Sequence, residues 1–98
     1  MRYGYVYIMT NKPNGTIYTG VTTNIAQRAG QHRVGTGSSF CKAHGLTRLI
    51  YVERHDLIVD AIAREKNIKA WQRAWKLKLI HGVNPDWNDL YDNIHDWM

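Results

Sequence analysis

Residues 18–32 read YTGVTTNIAQRAGQH, and this stretch combines the end of a strand with the start of a helix. We predict that it changes from strand to helix at Thr23 or Asn24, both of which are favoured N-cap residues. On a helix, positions 25, 28, 29 and 32 share one face, so Arg28 and His32 lie in a row with apolar side chains. Because an unpaired buried charge is costly, this row predicts either a cleft or a buried polar site.

The residues before and within this stretch predict a β-hairpin. Residues 3–10, YGYVYIMT, are aromatic and β-branched, as strands commonly are. Asn14 and Gly15 form a strong hairpin-turn signal, after which residues 16–20 read as the second strand. The hairpin brings Tyr7 and Tyr18 into the same neighbourhood, although the pattern does not decide whether they are directly opposed.

The segment after the first helix is predicted to be a loop followed by a third strand. Gly35 ends the helix, and residues 35–45 are loop-like, with GTGSS as their most flexible part. This loop follows Arg28 and His32 closely enough to cover a substrate. Residues 46–53 contain Leu-Ile-Tyr-Val and read as the third strand.

Two further helical segments complete the predicted fold. Asp56 is predicted to cap a helix from Leu57 to about Leu79, with a break near residues 69–73 as an open alternative. Asn84-Pro85 is predicted to begin a C-terminal amphipathic helix. The fold class is therefore α/β (α+β): a small three-stranded, mainly antiparallel sheet flanked by helices, in the order ββαβαα plus a C-terminal helix.

Charge divides this chain of 98 residues into a basic core and an acidic end. All 13 Lys and Arg and four of the eight acids lie in residues 1–83, which gives this part a net charge of +9. Residues 84–98 carry the other four acids, and we predict that their helix packs on the same domain and moderates non-specific binding. A charge of +9 favours a polyanionic partner, nucleic acid first, although solubility alone would also explain it.

The composition predicts a cytoplasmic protein. No apolar run approaches the roughly 20 residues of a membrane span, and no signal-peptide pattern begins the chain. The one cysteine, Cys41, cannot form an internal disulfide, which fits a reducing compartment. We expect no membrane partner, and no obligate protein partner is evident from the sequence.

The ordered polar residues resemble the GIY-YIG nuclease family. The matching residues are Tyr5-Val6-Tyr7 for the first motif, Tyr18-Thr19-Gly20 for the second, and then Arg28, His32 and Glu65. Residues 63–69 (AREKNIK) and 84–91 (NPDWNDLY) also resemble the small, stand-alone bacterial members that are described as predicted endonucleases. The resemblance covers nearly the whole chain. Two positions depart from the motif names, since Tyr5 replaces glycine and Thr19 replaces isoleucine.

The resemblance implies a metal-dependent endonuclease that hydrolyses phosphodiester bonds in DNA. Glu65 would hold one divalent cation, Mg²⁺ or another such as Mn²⁺, and Arg28 would bind the phosphate through its planar fork. A tyrosine would be the general base, and we favour Tyr18 with Tyr7 assisting. A free phenol has a pKa of about 10, so the base needs positive charge nearby. His32 would orient a group or relay a proton.

Five residues are predicted to contact nucleic acid: Gly20, Arg33, Lys42, Lys66 and Lys69. A glycine at position 20 would let the backbone approach the substrate. Few residues lie outside the core, so we expect low sequence specificity or recognition of DNA structure, as in repair or recombination.

Other interpretations of the same residues stay open at this stage. Glu65 and Lys69 are four apart on a helix and could form only a surface salt bridge. The basic face could belong to a non-catalytic nucleic-acid-binding module. A protein-interaction domain without a nucleic-acid role is a third alternative.

Overall fold

Three antiparallel strands form the centre of the protein, and helices cover both faces of the sheet. The computed structural model describes residues 2–97, and it describes side chains for residues 2–94. Met1, the first residue of the predicted basic core, and Met98, the last residue of the predicted C-terminal helix, lie outside the described residues. In chain order the elements are β1 (Gly4–Thr10), β2 (Ile17–Thr22), α1 (Ile25–Arg33), α2 (Ser39–His44), β3 (Arg48–His55), α3 (Ile58–Ala70), α4 (Arg73–Val83) and a C-terminal 3₁₀ helix (Leu90–Trp97).

The strand order is β2-β1-β3, so β1 is the central strand and all seven of its residues are buried. Side chains alternate between the faces of a strand. Tyr5, Tyr7 and Met9 therefore pack against α1, α2 and the C-terminal segment, whereas Val6 and Ile8 pack beneath α3 and α4. This confirms the predicted three-stranded sheet and helix-flanked α+β fold, and both strand pairs are antiparallel.

The predicted hairpin forms between β1 and β2. Asn14 adopts a positive φ of 58°, which asparagine tolerates better than most residues. The Thr10 hydroxyl donates to the Thr16 carbonyl at 2.7 Å, and Arg73 from α4 donates to the Asn14 and Gly15 carbonyls. The turn is thus held both by its own residues and by a later helix.

The predicted loop over residues 35–45 contains a short helix, α2, so that prediction was wrong in part. Ser38 caps α2 by accepting a hydrogen bond from the Cys41 amide at 3.2 Å. Gly45 ends the helix in the left-handed conformation with φ of 67°, which glycine adopts without strain. Cys41 is buried in the core and anchors the helix, and burial raises the pKa of its thiol.

The predicted helix over residues 57–79 consists of two helices. The chain leaves α3 at Trp71 and begins α4 after Gln72, so the break falls within the predicted interval. The predicted cap at Asp56 was wrong. Leu57 occupies the N-cap position, and no side chain bonds the first amides of α3.

The C-terminal helix begins at Leu90 and is a 3₁₀ helix with a kink at Asn93, whereas the sequence predicted a start at Pro85. The Asn84 side chain explains the difference. Its Nδ2 donates to the carbonyls of Ile50 and Asn88, each at 2.9 Å, and its Oδ1 accepts from the Asn88 amide. These bonds hold residues 84–88 as a turn, in which Trp87 has a positive φ of 57°.

The C-terminal segment supplies side chains to the core. Trp87 packs with Ile8 and Ile80 on one side of the sheet, and Ile94 packs with Tyr5 and its neighbours on the other. Burial of a large apolar side chain stabilises a fold by about 1.5–3 kcal/mol, so residues 84–94 contribute to the stability of the core. Across residues 2–97, none of the helices combines the length and apolar character that a membrane crossing requires.

Candidate active site

The two motif tyrosines lie near each other on one face of the hairpin. Tyr7 pairs with Gly20 across the β1–β2 ladder, and Tyr18 pairs with Met9. The tyrosines are therefore diagonal neighbours and not directly opposed, with ring centroids 6.4 Å apart. Both rings also approach His32, at 5.6 Å from Tyr7 and 6.1 Å from Tyr18.

Gly20 makes room for Tyr7. A Cβ at position 20 would lie 2.5 Å from both Cζ and the hydroxyl oxygen of Tyr7, closer than such atoms approach. This glycine was predicted to let a substrate approach the backbone. In the structure Gly20 is buried, and the space left by its missing side chain is filled by the Tyr7 ring.

Tyr7 and His32 form a buried hydrogen bond, with the hydroxyl oxygen 3.1 Å from Nε2. Burial, together with the neighbouring Tyr18, raises the pKa of Tyr7 to about 12, and the nearby Arg28 charge opposes this rise only in part. Burial, and then the positive charge of Arg28, lower the pKa of His32. Both groups are therefore neutral at pH 7.

The other ring nitrogen of His32 is buried without a hydrogen-bond partner. A Cβ at Gly37 would lie 2.2 Å from this Nδ1, so only a glycine allows the backbone to pass over the ring. Buried N–H groups without a partner are rarer than buried acceptors without one. This favours the tautomer that carries its proton on Nε2, from which His32 donates to the Tyr7 oxygen. Sequence reasoning missed Gly37.

Arg28 lies on α1, one turn before His32, and is partly buried. Its charge acts on the pKa of both Tyr7 and His32, which places it beside them. Within residues 2–94, whose side chains the structure describes, the ion pairs are Arg33–Asp89, His55–Glu53, Arg64–Glu53 and Lys69–Glu65. Arg28 belongs to none of these pairs.

Glu65 and Lys69 lie on α3 next to Tyr18. The Lys69 ammonium is 2.9 Å from Oε2 of Glu65 and 5.4 Å from the centroid of the Tyr18 ring. The Glu65 side chain is only 12% exposed. The salt bridge that formed the alternative interpretation of Glu65 is therefore present, and the same lysine connects the carboxylate to the second motif tyrosine.

Phe40 and His44 of α2 extend this aromatic group, and sequence reasoning missed both. The Phe40 ring stacks on Tyr18 with centroids 6.0 Å apart and an angle of 26° between the planes. His44 meets Phe40 edge to face at 4.4 Å. Residues 35–45 were predicted to be a loop, and a loop gives no helical period that would place Phe40 beside Tyr18.

The remaining residues that were predicted to contact nucleic acid are dispersed. Lys42 is exposed on α2 and Lys66 is exposed on α3. Arg33 donates to Oδ2 of Asp89 at 2.8 Å and lies 4.5 Å from the centroid of the Tyr91 ring. Arg33 thus joins α1 to the C-terminal segment, a role that the sequence did not indicate.

A second polar cluster lies on the opposite face of the sheet. Glu53 accepts hydrogen bonds from Tyr51 at 2.6 Å and from the Arg64 guanidinium, and it contacts His55 at 2.6 Å. Burial acts against the charged form of Glu53, but these hydrogen bonds outweigh it and lower its pKa. Every member of the cluster has a partner, so we assign it to the stability of β3 and α3.

Glu65, near Tyr18, is the one candidate metal ligand that the sequence predicted. Among the described side chains, no group of three or more His, Cys, Asp and Glu residues could enclose a metal ion. Glu65 offers carboxylate oxygens, and one ammonium does not saturate a carboxylate. Magnesium is commonly held by one or two carboxylates together with water and phosphate. Glu65 is therefore compatible with such an ion.

Comparison with known proteins shows the family to which the chain belongs. A family model described as the GIY-YIG catalytic domain matches residues 3–78, which include every motif residue from Tyr7 to Glu65. The chain therefore belongs to the GIY-YIG family and so to a superfamily of nucleases.

Within this family, the chain is similar to small proteins named UPF0213. It is 40% identical over 76 residues to one from Staphylococcus haemolyticus, covering 78% of this chain and 92% of that protein. It is 37% identical over 87 residues to one from Syntrophus aciditrophicus, covering 88% and 98%. The solution NMR structure of a UPF0213 protein from Bacillus halodurans matches with a TM-score of 0.56 and 26% identity, covering 89% and 92%.

Proposed function

We propose that the protein is a metal-dependent endonuclease that hydrolyses phosphodiester bonds in DNA, with low sequence specificity or a preference for DNA structure. The observation that carries this proposal is the position of Lys69, which contacts both the Glu65 carboxylate and the Tyr18 ring. The candidate metal ligand and the candidate base thus share one neighbour, and the Tyr7–His32 pair lies beside them.

Tyr18 is the proposed general base, and the contrast with Tyr7 supports this choice. Burial raises the pKa of Tyr7 to about 12, and the residue is only 1% exposed. Tyr7 therefore keeps its proton at neutral pH and has little access to water. Tyr18 is only partly buried, so water can reach it, and it lies next to Lys69, the partner of the Glu65 carboxylate. As the proposed base, Tyr18 would take the proton of the attacking water.

Arg28 is the proposed phosphate ligand. It is partly buried, it lies beside Tyr7 and His32, and no described carboxylate pairs with it. A guanidinium in such a position gains from an anion, and its planar fork matches two phosphate oxygens. The proposed role of His32 is to hold the Tyr7 oxygen through Nε2. This bond would keep the Tyr7 side chain in place beside the bound phosphate.

In the proposed reaction, the bond from the water oxygen to phosphorus forms while the bond to the leaving oxygen breaks. Tyr18 receives the proton of the water, and solvent protonates the leaving oxygen. A divalent cation held at Glu65, Mg²⁺ or Mn²⁺, would offset the negative charge that develops on the phosphate. Arg28 would contribute to the same stabilisation as a donor to the phosphate oxygens.

A cleavage assay tests the proposal. Purified protein is incubated with branched, nicked, flapped and single-stranded DNA in Mg²⁺, in Mn²⁺ or with a chelator. We expect cleavage that requires the cation, is lost in Glu65→Gln and Arg28→Gln, and falls about 10²–10⁴-fold in Tyr18→Phe. Asp60→Asn, an exposed carboxylate on the same helix, and Tyr3→Phe, an exposed tyrosine, are the matched controls and should cleave normally.

Two outcomes would contradict the proposal. Tight, salt-sensitive binding of DNA without cleavage in any metal would identify a non-catalytic binding module instead. Cleavage that survives both in Glu65→Gln and in chelator would reject the metal-dependent mechanism, because neither the carboxylate nor a cation would then be required.

A further inference from the structure

We propose that Phe40 is a stacking surface for an unpaired nucleobase, so that the preferred substrate carries an unpaired nucleotide next to the cleaved phosphate. This inference rests on the proposed nuclease function and names the substrate class of the same site. The Phe40 ring is exposed although it lies beside the candidate site. Phe40 is 44% exposed, yet it stacks on Tyr18, the proposed general base.

The helix that carries Phe40 is firmly built. Ser38 caps its start, Gly45 ends it in the left-handed conformation, and Cys41 is 3% exposed in the core. The exposure of Phe40 is therefore a consequence of how α2 is anchored. Cys41, the next residue, points into the core, and Phe40 remains at the surface beside Tyr18.

The surroundings of Phe40 fit a nucleotide better than an apolar side chain of another protein. Lys42 is exposed on the same short helix, and the Lys69 ammonium lies 5.4 Å from the centroid of Tyr18, the ring on which Phe40 stacks. A nucleotide joins a flat aromatic base to a phosphate. An exposed aromatic ring on a surface that also carries lysines matches both parts of this ligand, as in other single-strand binding surfaces.

Base pairing decides which nucleotides can use this surface. In a duplex, each base is already stacked on its neighbours, so its face is not available to a protein ring. A base in a flap, bulge or single strand has a free face. Stacking on Phe40 would place its phosphate near Tyr18 and Arg28, and would therefore select unpaired DNA without reading its sequence.

Fluorescence of 2-aminopurine separates stacking from general binding. The full chain with Glu65→Gln binds DNA in which this base is unpaired or paired at the same position. We expect stacking to quench the unpaired base, and Phe40→Ala to weaken binding of that DNA by about tenfold while duplex binding is unchanged. Phe40→Tyr and Phe40→Trp should retain quenching. Phe40→Leu, which keeps an apolar side chain without a ring, should lose it.

Trp75 provides a matched control away from Tyr18. It is 56% exposed and lies beside Trp71, with which it lines a surface depression of about 290 Å³. Trp75→Ala should leave the quenching unchanged. Loss of quenching in Trp75→Ala but not in Phe40→Ala would overturn the inference, since the base would then stack elsewhere.

The outcomes distinguish this inference from the nuclease proposal. Metal-dependent cleavage that is equal for paired and unpaired DNA, and unaffected by Phe40→Leu, would overturn the stacking role and leave the nuclease standing. Quenching that depends on Phe40, without cleavage by the unsubstituted protein in any metal, would support stacking and reject the nuclease. Absence of binding to any DNA would overturn both. Should Phe40→Ala not fold, Phe40→Leu and Phe40→Tyr decide the outcome.

Discussion

Gly20 and Tyr7 form a tight fit in the centre of the site. The glycine faces Tyr7 across the β-ladder, and the tyrosine ring occupies the volume that any side chain at position 20 would need. The Tyr7 hydroxyl can then reach Nε2 of His32. The second motif, residues 18–20, thus contributes Tyr18 itself, and its glycine, Gly20, leaves space for the Tyr7 ring.

Gly20→Ala should destabilise the protein by about 1–3 kcal/mol, because the added methyl group overlaps the Tyr7 ring at 2.5 Å. It should also move the Tyr7 hydroxyl away from His32. Urea unfolding measures the free energy of unfolding. Gly82→Ala is the control, since no atom lies within 4 Å of its added Cβ and alanine is the better helix former. Equal effects of the two substitutions would contradict this packing.

Protonation of His32 should destabilise the fold. Burial lowers the pKa of His32 in the folded state below its value in the unfolded chain, so the unfolded chain takes up a proton first as the pH falls. The stabilising effect of neutral His32 is fully present above pH about 6.5 and is lost toward the folded-state pKa, at up to about 1.4 kcal/mol per pH unit. Urea unfolding measured at several values from about pH 8 to about pH 5 should show that the free energy of unfolding falls below pH about 6.5.

His32→Gln should remove most of this pH dependence, whereas His81→Gln, at an exposed position on α4, should retain it. A slope that is unchanged in His32→Gln would assign the dependence to another group. Glu53 is not such a group in this range, because its hydrogen bonds lower its pKa and its contribution is lost only at more acidic pH.

Helix α1 is the element that sets the direction of Arg28 and His32. Ile25 and Ala29 bury its inner face, and Asn24 fixes its start by accepting a hydrogen bond from the Gln27 amide at 3.1 Å. An N-cap satisfies one of the amides that a helix leaves unpaired at its beginning. The position of these two candidate site residues thus depends on the residue that caps the start of the helix.

Asn24→Ala should therefore cost about 1 kcal/mol, and Asn24→Ser, which retains a capping oxygen, should cost only a few tenths. Hydrogen exchange of the Gln27 amide would locate the effect, since that amide loses its partner in the alanine variant. Faster exchange in both variants would mean that the cap is not what protects this amide.

Elements with strong local signals were predictable from the sequence, and those held by distant contacts were not. The hairpin was predictable because Asn14-Gly15 favours its turn directly. Helix α2 was missed although Ser38 and Gly45 are suitable caps, because its six residues are too few to show a helical period. The turn at residues 84–88 depends on a bond from Asn84 to Ile50, which no local pattern reveals.

The same distinction applies to the candidate site across the whole molecule. The row of Arg28 and His32 followed from helical spacing, and the resemblance supplied Tyr7, Tyr18 and Glu65 as a set. The contact of Lys69 with Tyr18 joins α3 to β2 and required the packed structure. Arg33 was predicted to contact nucleic acid, but its pairing with Asp89, 56 residues later, depends on where the C-terminal segment packs.

At the scale of the whole molecule, the acidic residues of the C-terminal segment differ in their surroundings. Asp89 is occupied by Arg33 and by the amides of Leu49 and Tyr91, so it acts mainly within the fold. Asp86 and Asp92 are exposed. Removal of residues 84–98 would also remove the buried Trp87 and Ile94, so deletion does not test the charge alone. Neutral substitutions at the exposed acids do.

We expect the double variant Asp86→Asn, Asp92→Asn to bind non-specific duplex DNA about threefold more tightly at low salt, with the gain shrinking as salt screens the charges. The double variant Asp56→Asn, Asp60→Asn changes the net charge by the same amount at exposed positions of the basic core. Fluorescence anisotropy at several salt concentrations compares the two. A larger gain from the C-terminal pair supports the proposal that this segment moderates binding, whereas equal gains would mean that only total charge matters.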